Sequence, residues 1–130
     1  PINLHWGYDN RTTGLRVPDA KPKNFRVENR FPGADVNPYL SIAATLACGY
    51  LGMKNKIKPS AAFEGNAYEE DQELPRTLEE ALRGLQEDQD IIDLFGEKFI
   101  QLYTSIKLVE FEEFNRVISS WEREHLLLNV

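Results

Sequence analysis

A change of hydrophobic period within residues 24–52 constrains the fold more than any other feature of this sequence. Residues 25–30, FRVENR, alternate apolar and polar side chains with the period of two that is typical of a β-strand. After a turn-forming FPGAD segment, Asn37 and Pro38 are the residue types preferred at the N-cap and first position of a helix. The residues from Pro38 to Gly52 are apolar nearly all round, which predicts a helix buried on most sides.

Two further strands are expected before this segment. Residues 2–8 are rich in β-forming side chains and meet a DN turn signal, and the extended run TGLRVP, residues 13–18, ends at a proline. Because all three strands are short and are joined by loops, we expect antiparallel pairing at the N-terminal end of the chain.

The rest of the chain is predicted to be mostly helical. Residues 54–75 form a long irregular stretch, after which Thr77 and Glu80 have the spacing of a capping box that starts a helix. A short helical turn ends at Gly96, and an amphipathic helix follows, with a kink expected near residues 118–121. The predicted fold class is therefore α+β, with short antiparallel strands followed by a mostly helical C-terminal region.

Composition limits the cellular setting. The chain has 130 residues, of which 42% are hydrophobic, which suits one modest globular domain. No apolar run is long enough to span a bilayer, and the start of the chain has no signal-peptide pattern. The single cysteine, Cys48, excludes an internal disulfide framework and lies in an apolar run, so we expect a buried, inert thiol and a cytoplasmic protein.

The charge distribution is uneven. The net charge of −6 argues against a nucleic-acid partner. Residues 11–30 nevertheless contain six Lys or Arg residues and two Asp or Glu residues, a local charge of +4, so the remaining residues carry −10. A basic island in an acidic chain indicates a local anion site.

Arg26, Glu28 and Arg30 should line one face of the third strand, since side chains two apart point the same way. If the preceding strand lies alongside, Glu28 cannot also balance Arg11 and Arg16, and the excess guanidinium groups suit a phosphate. A carboxylate beside bound phosphate is also a position for a Mg²⁺ or Mn²⁺ ligand. From these residues alone, a charged face with no role beyond solubility is equally admissible.

The order of the motifs resembles the glutamine synthetase family. NRTTGLRVP (residues 10–18) and FRVENRFPGADVNPYL (residues 25–40) are similar to its N-R-[ST]-x-x-x-R-[IV]-P and R-[IV]-E-x-R-x-P-x-x-x-x-N-P-Y-L patterns. Residues 66–85, NAYEEDQELPRTLEEALRGL, extend the resemblance over almost the whole chain. WGYDNRTTGLRVP, residues 6–18, further resembles the branch of γ-glutamylputrescine and γ-glutamylpolyamine synthetases.

The resemblance implies a role for each matching site residue. Arg11 corresponds to an arginine that contacts both ATP phosphate and the substrate glutamate, and Arg30 to the arginine that meets glutamate and the phosphoryl group in transfer. Both are therefore expected to be catalytic. Glu28 corresponds to a metal ligand. The ATP-binding set that the resemblance implies comprises Arg11, Arg16, Lys23 and Arg26.

The implied activity is an ATP-dependent ligation of the glutamate side-chain carboxylate to ammonia through a γ-glutamyl phosphate, with Mg²⁺ or Mn²⁺. The alternatives are an amine such as putrescine as nucleophile, or a non-catalytic structural relative. Residues 1–130 are expected to be the C-terminal portion of the catalytic domain, without the N-terminal β domain and the first part of the catalytic domain, and inactive alone. Homo-oligomeric rings are expected for the full-length protein. Tyr68 falls where some bacterial members are adenylylated, but is expected to be an ordinary exposed loop residue.

Overall fold

The structure is a computed structural model that describes residues 1–127. The chain divides into two compact units, Pro1–Leu74 and Pro75–Val130. The first contains a small sheet and one long helix, and the second contains only helices. The predicted α+β class, with a small N-terminal sheet and a mostly helical C-terminal part, is confirmed.

The sheet of the first unit has three short strands in the order β1 (Trp6–Tyr8), β2 (Leu15–Val17) and β3 (Glu28–Asn29). Strands β2 and β3 are antiparallel, as predicted. Strands β1 and β2 are parallel, so the antiparallel prediction is wrong for this pair. The connection over residues 9–14 makes this pairing possible because it doubles back: Asp9 has a φ of 46°, and the His5 carbonyl accepts hydrogen bonds from the N–H groups of Gly14 and Leu15.

The irregular stretch after the long helix is held against the N-terminal segment. Its single regular element is a short 3-10 helix, Ala67–Glu69. The Phe63 N–H donates to the Trp6 carbonyl at 2.8 Å, and the Trp6 indole Nε1 donates to the Ser60 carbonyl at 3.0 Å. The Asn3 amide, fully buried, donates to the Ala67 carbonyl at 2.7 Å. These bonds connect distant parts of the sequence and fix the loop beside β1.

The long helix α1 spans Pro38–Lys54 and begins as predicted. The Asn37 side chain caps it by accepting hydrogen bonds from the N–H groups of Tyr39 and Leu40. The predicted burial is wrong, because Ala47 is the one buried residue of the helix. Tyr39 is 83% exposed, and Cys48 is exposed rather than buried. A sheet of three short strands is too small to cover a helix that is apolar on every side.

The second unit contains α2 (Leu78–Glu87), α3 (Gln89–Phe95), α4 (Glu97–Asn115) and α5 (Ser120–His125). Its interior is formed where α2 and α3 pack on α4, and it buries Leu82, Ile100 and Thr104. No helix within residues 1–127 combines the length and apolar character needed to cross a bilayer.

Local signals set the helix ends in this unit. The Thr77 hydroxyl caps α2 by accepting from the Glu80 N–H, but the Glu80 carboxylate accepts from the Arg76 N–H, so the predicted capping box is only half formed. Gly96 ends α3, as predicted, with a φ of 89°. The kink expected near residues 118–121 is a complete break, since α4 ends at Asn115 and a capping box of Ser119 and Glu122 starts α5.

Candidate functional site

The candidate site is a cluster of charged side chains on strands β2 and β3. The pairing register sets Arg16 of β2 opposite Glu28 of β3, and the Arg16 Nη1 donates to the Glu28 Oε2 at 2.7 Å. The Arg26 Nη2 donates to the other carboxylate oxygen, Oε1, at 2.9 Å. The preceding strand does lie alongside β3, but the expectation that Glu28 could not also balance Arg16 is wrong, because Glu28 pairs with Arg16 as well as with Arg26. β3 is shorter than predicted, and Arg26 reaches the carboxylate from just before it.

Asp9 is a fourth member of this cluster, and sequence reasoning missed it. Its Oδ1 accepts a hydrogen bond from the Arg16 Nη2, so Arg16 lies between two carboxylates. In the sequence, Asp9 reads only as part of a DN turn signal. The contact depends on the parallel pairing of β1 with β2 and on the positive φ of Asp9, neither of which the local pattern indicates.

The four charges balance one another. The hydrogen bond from Arg16 is the largest influence on Glu28 and, together with that from Arg26, lowers the pKa of the carboxyl, while partial burial acts in the opposite direction. The pKa of Arg16 is raised by its hydrogen bonds to Glu28 and Asp9. Glu28 therefore remains ionised at a lower pH than an ordinary glutamate, and the cluster has no net charge.

The other three predicted cations lie outside this cluster. Among residues 1–127, no hydrogen bond or ion pair joins the side chains of Arg11, Lys23 or Arg30 to Glu28. Lys23 is exposed in a 3-10 helix, Pro22–Asn24. Arg11 borders a depression of about 530 Å³ between residues 8–11 and 62–65.

Arg30 is positioned through its backbone. It directly follows β3, and its N–H donates to the Gly14 carbonyl at 2.8 Å. The next residue, Phe31, lies against Gly14 so closely that a Cβ there would be 2.1 Å from the ring. Glycine at position 14 is therefore required for the close approach of Phe31, and with it the backbone of Arg30, to the residue that directly precedes β2.

The chemistry of Glu28 fits a metal ligand. Its side chain is only about one-third exposed, and each carboxylate oxygen uses one lone pair for an arginine, which leaves a second available to a cation. No group of three or more potential ligands is found within residues 1–127. Glu28 could thus supply one ligand of a Mg²⁺ or Mn²⁺ site, as the sequence analysis expected, but the described residues do not form a complete one.

Comparison with known proteins places this arrangement in a family. Residues 1–126 match the glutamine synthetase catalytic domain. The matched region contains all six predicted site residues and the cluster built around Glu28. The chain belongs to the glutamine synthetase family.

The similar curated proteins include ligases for different nucleophiles. Glutamate–isopropylamine ligase of a Pseudomonas species is 41% identical over 92% of this chain, and γ-glutamylputrescine synthetase of Escherichia coli is 36% identical over 99%. Glutamine synthetase of Thermotoga maritima is 35% identical over 98%. The chain spans 27–31% of the length of these relatives.

A solved structure supports the fold. A protein described as apo GmaS without ligand superimposes with a TM-score of 0.83 and 30% sequence identity, over 98% of this chain and 30% of the other. Its similarity extends over both the small sheet and the helical region.

Proposed function

We propose that the whole protein is an ATP-dependent ligase that joins the side-chain carboxylate of glutamate to ammonia. The observation that carries this proposal is the contact of Glu28 with Arg16 and Arg26, inside a region matched by the glutamine synthetase catalytic domain. Guanidinium groups fixed around a carboxylate provide donors for phosphate oxygens and a hard oxygen ligand for a cation. A non-catalytic relative would have no need for this combination together with Arg11 and Arg30.

The proposed reaction has two steps. A glutamate carboxylate oxygen attacks the γ-phosphorus of ATP, the bond to the bridging oxygen breaks, and ADP leaves. The ammonia nitrogen then attacks the acyl carbon of the γ-glutamyl phosphate, inorganic phosphate leaves, and the nitrogen loses a proton. Both steps develop charge on oxygen, and fixed donors that meet this charge lower the barrier.

The proposed roles of the side chains differ with their positions. Arg16 and Arg26, with Arg11 and Lys23, bind the phosphates of ATP. Arg11 and Arg30 contact glutamate, and Arg30 stabilises the phosphoryl group during transfer. A divalent metal held in part by Glu28 would neutralise charge on the phosphate oxygens.

A primary amine is the second candidate nucleophile. Two observations favour it: the WGYDNRTTGLRVP motif, and the 41% identity to a protein named glutamate–isopropylamine ligase. Ammonia and an alkylamine require the same phosphorylation step, so the cluster around Glu28 serves either reaction. We further propose that the protein is cytoplasmic and assembles as homo-oligomeric rings.

The test supplies the whole protein with ATP, Mg²⁺ and glutamate, and then with ammonia, isopropylamine or putrescine in parallel. Phosphate release is measured, and the γ-glutamyl product is identified by mass spectrometry. We expect phosphate release that requires both glutamate and a nitrogen nucleophile, and the preferred nucleophile decides between the two candidates. Absence of a γ-glutamyl product with all three nucleophiles would refute the ligase proposal.

A matched pair of variants ties the activity to the site. Glu28→Gln keeps the shape of the side chain but removes its charge, and it should lower turnover by a factor on the order of 10² to 10³. Glu87→Gln makes the same change at an exposed position of α2 and should leave turnover unchanged. If Glu28→Gln and Glu87→Gln were equally active, the cluster around Glu28 would have no part in the reaction.

A further inference from the structure

The Arg16 guanidinium is held from two sides. Its Nη1 donates to Glu28 at 2.7 Å and its Nη2 donates to Asp9, while the side chain as a whole is only 13% exposed. The Nε is buried and has no hydrogen-bond partner within residues 1–127. Of the five N–H groups of this arginine, two are therefore engaged, one is enclosed, and one on each Nη nitrogen is left to donate to another acceptor.

Backbone contacts hold Asp9 beside Arg16. Its N–H donates to the Val17 carbonyl at 2.8 Å, which fixes residue 9 at the end of β1 beside the strand that carries Arg16. Its φ of 46° lies in the left-handed region, where aspartate and asparagine are tolerated better than most side chains. On β1, the residue in register with Arg16 is Gly7, which has no side chain to compete for the guanidinium.

We propose that Asp9 is a positioning residue for nucleotide binding: it fixes the Arg16 guanidinium so that the free Nη hydrogens meet the phosphates of ATP. This inference rests on the proposed function, which makes Arg16 a phosphate-binding residue. It adds a carboxylate that is not among the six predicted site residues.

Whether Asp9 strengthens or weakens ATP binding depends on how exposed its carboxylate is to solvent. A negative charge near a phosphate site repels the phosphate, but the Asp9 side chain is 59% exposed and solvent screens its charge. The repulsion acts across solvent and is screened, whereas the hydrogen bond between Asp9 and Arg16 is a direct contact and is screened less. Arginine loses much side-chain freedom when it binds a ligand, and fixing it beforehand lowers that cost. Positioning should therefore outweigh repulsion.

The test compares Asp9→Asn with Asp19→Asn in the whole protein. Asparagine keeps the shape of Asp9 and tolerates its φ, but it replaces a charged acceptor with a neutral one. The KM for ATP should rise about tenfold, the effect of weakening one charge-assisted hydrogen bond, while kcat and the KM for glutamate stay the same. Asp19→Asn, at an exposed site with no ion pair within residues 1–127, should match the wild type in all three constants.

A double-mutant cycle shows whether Asp9 acts through Arg16. In an Arg16→Gln background, Asp9→Asn should cause no further rise in the KM for ATP, because the side chain that it positions is absent. Additive effects would overturn the proposal, as would an unchanged or lower KM for ATP in Asp9→Asn itself. If the wild-type protein forms no γ-glutamyl product, the ligase proposal and this inference are both refuted. If the wild type is active but Asp9→Asn leaves the KM for ATP unchanged, only the inference is refuted.

Discussion

The arginines of the first unit differ in what neutralises them. Arg16 and Arg26 contact Glu28, and Arg16 also contacts Asp9, so their charge is largely balanced before any ligand binds. Arg11 and Arg30 contact no carboxylate within residues 1–127. In the proposed reaction, the anionic substrates would meet two prearranged, balanced guanidinium groups and two unbalanced ones. The unbalanced pair should contribute most where negative charge increases during the reaction.

Arg30→Lys tests this distinction at a single residue. Lysine keeps the charge but loses the planar fork of donors, so turnover in the whole protein should fall by a factor on the order of 10² to 10³. The melting temperature should change little, because Arg30 forms no ion pair within the described residues and its backbone bond to Gly14 remains. Turnover and thermal unfolding are measured on the same preparation.

The control for Arg30→Lys is Arg83→Lys on the exposed surface of α2, which should alter neither quantity. If Arg30→Lys unfolds at a lower temperature but keeps its turnover per active site, Arg30 is a structural residue. The segment with Arg26, Glu28 and Arg30 would then be an ordinary charged surface.

At the scale of single elements, the second unit shows how strongly local chemistry sets helix boundaries. Side-chain oxygens of Thr77, Asp88 and Ser119 each accept a backbone N–H at the start of a helix. Gly96 serves as the end of α3 and the start of α4 with φ 89° and ψ 134°, a conformation that side chains with a Cβ rarely adopt. The junction between these two helices therefore depends on one glycine.

Two glycine substitutions should change stability in opposite directions. Gly96→Ala forces a Cβ into a positive-φ conformation and should lower the free energy of unfolding by about 1–2 kcal/mol. Gly84→Ala lies inside α2, where an added Cβ meets no atom within 4 Å, and should raise it by about 0.5–1 kcal/mol. Urea unfolding followed by circular dichroism measures both. Loss of stability in Gly84→Ala, or none in Gly96→Ala, would contradict this account of the α3–α4 junction.

At the scale of the whole molecule, features encoded by neighbouring residues were predictable, and features that depend on distant partners were not. The cap at Asn37 and the glycine at the end of α3 follow from a few adjacent residues, and the structure confirms them. The parallel pairing of β1 with β2 and the Asp9 contact depend on a loop that doubles back, which alternation does not reveal. The burial of α1 depends on what surrounds it, so its apolar sequence predicted the helix but not its exposure.

The C-terminal end of the chain carries exposed apolar side chains that bear on assembly. Trp121, Leu126 and Leu127 are 59%, 49% and 67% exposed, and the apolar run of the sequence continues with Leu128, which lies outside the described residues. Contiguous exposed apolar side chains indicate an interaction surface. If the whole protein forms the proposed rings, burying this tail against another subunit would remove these side chains from water.

Deleting residues 121–130 from the whole protein should therefore shift the assembly toward single subunits, as measured by size-exclusion chromatography with light scattering. Leu127→Asp should weaken the same assembly, because burying an unpaired carboxylate in an apolar contact is strongly unfavourable. Arg123→Gln changes an exposed polar residue of α5 and should leave the assembly intact, which separates loss of apolar contact from a general disturbance of the helix. Rings of unchanged size after the deletion would show that the apolar tail has no part in holding the subunits together.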